Sequence, residues 1–68
     1  MNQYEYQIKT QELIPPVGIN RFMAICFISK YKVGKITVDF GNVWGRTEKE
    51  AEEKMEIKVN EWIKSNTN

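Results

Sequence analysis

The 68-residue chain has no histidine, one cysteine, one aspartate and two prolines, and each scarcity removes a class of function. Without histidine there is no Ser-His or Cys-His nucleophile pair, and the commonest general base at neutral pH is missing. One thiol cannot form an internal disulfide, and with no imidazole beside it a zinc ion has too few ligands. Cys26 lies between Ile25 and Phe27, an apolar setting that raises a thiol pKa and suits an inert core residue. An unpaired cysteine is also compatible with a reducing cytoplasm. The lone Asp39, taken with Glu52, Glu53 and Lys54, lacks the second strand carboxylate that a metal-nuclease cluster needs. The glycines match no phosphate-cradling spacing. The expectation is a non-catalytic domain, with no cofactor and no metal.

Long apolar runs are also missing. The longest, Phe22 to Ile28, has seven residues, against the roughly 20 that span a bilayer. The polar start Met1-Asn2-Gln3-Tyr4-Glu5 does not read as a signal peptide. A cytoplasmic protein with no membrane partner is expected. The net charge is only +1, but the charges are unevenly spread. Residues 21–46 carry Arg21, Lys30, Lys32, Lys35 and Arg46 against Asp39, whereas residues 47–68 carry six glutamates against four lysines. A basic middle of this kind can face an anion.

What is present reads as one small α+β domain, β-β-β-α. Tyr4, Tyr6 and Ile8 alternate with Glu5, Gln7 and Lys9, the period of a half-buried strand over residues 3–9. Residues 11–20 hold Pro15, Pro16 and Gly18 and read as a connection, oddly apolar through Leu13, Ile14 and Val17, lying over the edge of the core. Over residues 21–32, Met23, Ile25 and Phe27 point one way and Phe22, Ala24, Cys26 and Ile28 the other. Both faces are apolar, which marks a strand covered on both sides. After a turn around Val33-Gly34, a third strand places Ile36, Val38, Phe40 and Trp44 on one face, with a bulge or bend at Gly41-Asn42.

The clearest local signal is Trp44-Gly45-Arg46-Thr47-Glu48-Lys49-Glu50-Ala51. Thr47 and Glu50 form a capping box: the hydroxyl accepts from the Glu50 N–H, and the Glu50 carboxylate reaches back to the Thr47 N–H. Gly45 permits a sharp turn out of the strand. A helix over residues 48–64 follows, with Ala51, Met55, Val59, Trp62 and Ile63 as its apolar stripe, Ile57 off that stripe, and a polar tail from Ser65. The expected core is Tyr6, Ile8, Phe22, Ile25, Phe27, Ile36, Val38, Phe40, Ala51, Met55, Val59 and Trp62.

The G-x-T-x-x-E-A pattern at Gly45–Ala51, with Val59 and Trp62-Ile63 after it, resembles the strand-to-helix junction of HicB-like antitoxin domains over roughly residues 35–64. That resemblance implies a protein–protein role, since such domains neutralise a small RNA-cleaving toxin and commonly oligomerise. The same stretch is similar to the DNA-binding modules of phage and transposon integrases, three-stranded sheets followed by one helix. This second resemblance implies DNA contacts from Arg21, Lys30, Lys32 and Lys35.

Two expectations about function follow. One is a protein-binding module that self-associates, plausibly as a homodimer, or regulates a larger partner. One helix covers one face of a sheet, so Met23, Ile25 and Phe27, with Ile57, are the candidate protein interface. A chain this short buries only about 60% of the surface its unfolded form exposes, and oligomerisation is a usual remedy. The other expectation is nucleic-acid or anion contact by Arg21, Lys30, Tyr31, Lys32, Lys35 and Arg46, basic residues interleaved with an aromatic.

Overall fold

The alternation around Tyr6 builds the first strand, β1 (Tyr4–Val17), which runs well past the alternating stretch. The computed structural model describes residues 3–66. β1 pairs antiparallel with β2 (Asn20–Lys30), from Tyr4 opposite Lys30 to Glu12 opposite Phe22, and again at Val17 opposite Asn20. The register shifts between Glu12 and Val17, where Pro15 and Pro16 have no N–H to give the ladder. The expected connection over residues 11–20 is therefore part of a long hairpin, and not a segment lying over the core. Gly18, at φ +61, opens its two-residue turn in the conformation that a type II′ turn requires at that position. Of the apolar side chains in this stretch, Ile14 is 85% and Val17 43% exposed, while Leu13 is half-buried. The molecule is accordingly elongated, 39 × 18 × 16 Å.

The second hairpin turns through Tyr31, Lys32 and Val33, with the Val33 N–H donating to the Lys30 carbonyl at 3.0 Å. The strand after it is broken in two. β3 (Gly34–Ile36) and β4 (Val43–Gly45) both pair with β2, Ile36 opposite Ile28 and Val43 opposite Ala24. Between them the chain leaves the ladder over residues 37–42. Gly41 takes a left-handed φ of +75, and its N–H donates to Asp39 Oδ1 at 2.8 Å. The interruption reverses the expected parity. Val43, not Trp44, turns toward the helix and is 3% exposed, while Trp44 stands beside Met23 on the opposite face.

The helix α1 (Glu48–Ser65) begins as the capping box requires, the Glu50 N–H donating to Thr47 Oγ1 at 3.1 Å. Ala51, Met55, Val59 and Ile63, spaced four apart, are all buried. They close on Ala24, Ile28 and Val43 from the sheet, with Tyr6, Ile8, Phe22, Cys26, Ile36, Val38 and Phe40 packed around them. Trp62 lies edge-on to Tyr4, 5.0 Å between centroids, and to Phe40, 6.3 Å, the geometry aromatic pairs favour. Lys54 and Lys58 donate to the carbonyls of Trp44 (3.2 Å) and Phe40 (3.0 Å), tying the interrupted strand to the helix. Asn66 ends the helix, its side-chain amide donating to the Trp62 carbonyl at 2.8 Å. Ser65 and Asn66, expected in a polar tail, are thus the last helical residue and its cap; Thr67 and Asn68 lie outside the described residues. Two expected core residues are not in the core. Ile25 and Phe27 occupy the face of β2 away from the helix, where Phe27 is 51% exposed. Strand parity, not hydrophobicity, decides which side chains the single helix can cover.

Candidate binding surface

β2 is central, and its alternate side chains Met23, Ile25 and Phe27 form an apolar row on the uncovered face of the sheet. The register places their neighbours. Gln7 lies opposite Phe27, Lys9 opposite Ile25, and Gln11 opposite Met23, which has Trp44 on its other side. Nearer the second hairpin, Ser29 lies between Glu5 and Lys35. Glu5, Gln7, Phe27, Ser29 and Lys35 border a common shallow depression. The Lys9 ammonium stands 5.8 Å from the centre of the Phe27 ring, within cation–π range. The surface therefore has an apolar middle and polar margins, the composition of a contact patch.

Ile57 does not belong to this surface. It is 59% exposed and borders a separate hollow between helix and β4, with Asn42, Val43, Trp44, Lys54 and Lys58. Trp44 is expected by parity on the same strand face as Ile36, Val38 and Phe40, and the break that moves it off that face is signalled only by Gly41-Asn42.

The six expected anion-contact residues are not one cluster. Lys30, Tyr31, Lys32 and Lys35 gather at the second hairpin. Lys30 lies opposite Tyr4 on the helix side of the sheet, its Nζ 5.7 Å from the Tyr4 ring centre. Tyr31, 72% exposed, carries Lys32 Nζ at 5.6 Å, and Lys35 belongs to the open face. A groove lined by Gln3, Glu5, Ser29, Lys30, Tyr31, Lys32 and Gly34 runs past them. Arg21 and Arg46 sit at the other end of the sheet, nine residues of β2 away, or about 30 Å at strand rise.

Ionisable chemistry is sparse. Cys26 is half-buried on the helix side, and desolvation raises its thiol pKa, which disfavours the reactive thiolate. Glu50 is held below the usual carboxylate range, first by a hydrogen bond from Lys54 and further by the backbone of Arg46. The Lys54–Glu50 pair spans 3.1 Å, so the return half of the capping box goes to Lys54 and Arg46 and not to Thr47. Among the described residues no three acidic, cysteine or histidine side chains are grouped to hold a metal ion. None of the described helices is long and apolar enough to cross a membrane.

Comparison with protein-family models, with curated proteins and with solved structures gives no match to this chain.

Proposed function

We propose that the chain is a non-catalytic protein-binding module that works through the open face of its sheet. The observation that carries this reading is the row Met23, Ile25 and Phe27, extended by Trp44, on the face that α1 leaves uncovered. Covering such a row releases water from apolar surface at about 25 cal/mol per Å², and a half-exposed phenylalanine in it is the kind of anchor that dominates contact energies. The residues resembling those of HicB-like and integrase modules, Gly45, Thr47, Glu50 and Ala51, start and seat the helix. The reading therefore rests on the open face and not on that resemblance.

The test is to place a charge in the row. The native mass of the chain is compared with that of Phe27→Asp, and both are used as bait in a lysate with identification of what is captured. The reading predicts either a mass above the monomer or an identified protein partner, lost in Phe27→Asp while the fold is retained by circular dichroism. A monomer that captures nothing, or partners indifferent to Phe27→Asp, would remove it.

A second reading has its own observation. Tyr31 stands out at the hairpin tip with Lys32 against it and Lys30 and Lys35 nearby, a stacking surface with phosphate-seeking cations. It predicts binding of single-stranded or duplex nucleic acid at low salt that weakens steeply as salt rises. Lys32→Glu, at the hairpin tip and outside the row of Met23, Ile25 and Phe27, separates the two readings: it abolishes nucleic-acid binding and leaves a contact made by that row in place.

A further inference from the structure

The charges at the margins of the open face are ordered. In the row through Ser29, β1 carries the acidic Glu5 and β3 the basic Lys35, one on each side of β2. In the row through Ile25, β1 carries Lys9. Glu5, Lys9 and Lys35 are all exposed residues. The two margins of the face are thus complementary to each other in the row through Ser29.

We propose that the open face is covered by a second copy of this chain, related by a two-fold axis running along β2. This rests on the reading of the open face as a protein-binding surface and names its occupant. Rotation about that axis preserves each row and exchanges the margins. Glu5 of one copy is brought over Lys35 of the other, and Lys35 over Glu5, so that one contact is made twice, as a two-fold interface requires. Along the axis, Met23, Ile25 and Phe27 pack against their own copies, as inner faces do when sheets stack about 10 Å apart. The competing axis, in the sheet plane but across the strands through the Ile25 row, lays Lys9 over Lys9 and moves Glu5 away from Lys35. Like charges placed directly opposite each other oppose association. Arg21, at the end of β2, meets its copy in the favoured arrangement, but at the rim, where a long side chain turns outward to water.

The area decides the strength. β2 is about 30 Å long and its third-strand neighbour is interrupted over residues 37–42, so the footprint stays below roughly 900 Å² over both copies, in the range of weak, transient contacts. The dimer is therefore weak, and the margin charges have leverage over it.

The charge-swap experiment uses the full chain, with dissociation constants from sedimentation at low salt and folding checked by circular dichroism. The wild type dimerises. Glu5→Lys and Lys35→Glu each weaken the dimer on the order of tenfold or more, because each replaces two attractive pairs by two repulsive ones. Mixing the two single variants restores association as a heterodimer, and the double variant Glu5→Lys/Lys35→Glu restores the homodimer. No destabilised variant produces that rescue. A wild type that stays monomeric at about millimolar concentration, single variants that dimerise normally, or a loss without rescue would each overturn the proposal. If the dimer ignores these swaps but is lost in Phe27→Asp, the axis is wrong and the open face is still the binding surface. If the chain is monomeric, the Phe27→Asp capture experiment decides the broader reading separately.

Discussion

A methyl group on Gly45 would stand 2.5 Å from the backbone nitrogen of Ala51 and 3.0 Å from its Cα. The last residue of β4 and the first turn of α1 thus touch backbone to backbone, and the atoms in the way cannot swing aside like the end of a side chain. Gly45 is needed for this close approach, whereas Gly41 is needed for a left-handed backbone. Gly45→Ala is expected to lower stability by about 1–3 kcal/mol, the usual cost of overpacking, in a denaturant titration. An unchanged midpoint would show that the helix start moves away freely.

Thr47→Ala removes the acceptor for the Glu50 N–H and is expected to cost about 1 kcal/mol. Thr47→Ser, which keeps the oxygen, should recover most of the loss. Equal stability of all three proteins in thermal melts would contradict a role for the hydroxyl.

Glu50 ties stability to pH. Its folded pKa is depressed by Lys54 and the Arg46 backbone, so its contribution is present above the unfolded glutamate value of about 4.3. That contribution disappears as pH falls through the lower folded value. The stability difference between wild type and Glu50→Gln should be largest near neutral pH and close below about pH 4. Denaturant titrations at a series of pH values and low salt check this, and a constant difference across the range would count against it.

Lys32 occupies φ +67 at the turn between β2 and β3, a left-handed conformation that disfavours a side chain by about 1–2 kcal/mol, part of which glycine recovers. Lys32→Gly is therefore expected to raise stability by roughly 0.5–1 kcal/mol. A lower melting temperature would mean that the Lys32–Tyr31 contact outweighs the backbone relief.

The elements were legible wherever they depend on neighbours along the chain. Tyr4, Tyr6 and Ile8 alternate and sit on one face; Ala51, Met55, Val59 and Ile63 recur at helical spacing and are buried together; Thr47 caps the helix that its spacing from Glu50 announced. That β2 carries two apolar faces was legible too, but not which of them the helix covers, so Ile25 and Phe27 read both as core and as part of the candidate surface. The margins of that surface were not legible. Glu5, Lys9 and Lys35 acquire their order from the pairing of β1 and β3 with β2, and strand pairing is invisible in any one strand.

By itself, then, the sequence determined the local structure of this protein: a hairpin-rich sheet, one amphipathic helix, and a capped junction joining them. Tertiary structure alone decided that Trp44 joins the open face, that Gly45 is required by contact with Ala51, and that Arg21 and Arg46 are separated from the lysine hairpin. It also decided that residues 11–17 continue β1. The physical reason is the same in each case. Side chains alternate with a period of two, so a break at residues 37–42 or a bulge between Glu12 and Val17 reassigns everything beyond it, and only the register against β2 shows where the chain has come back into line.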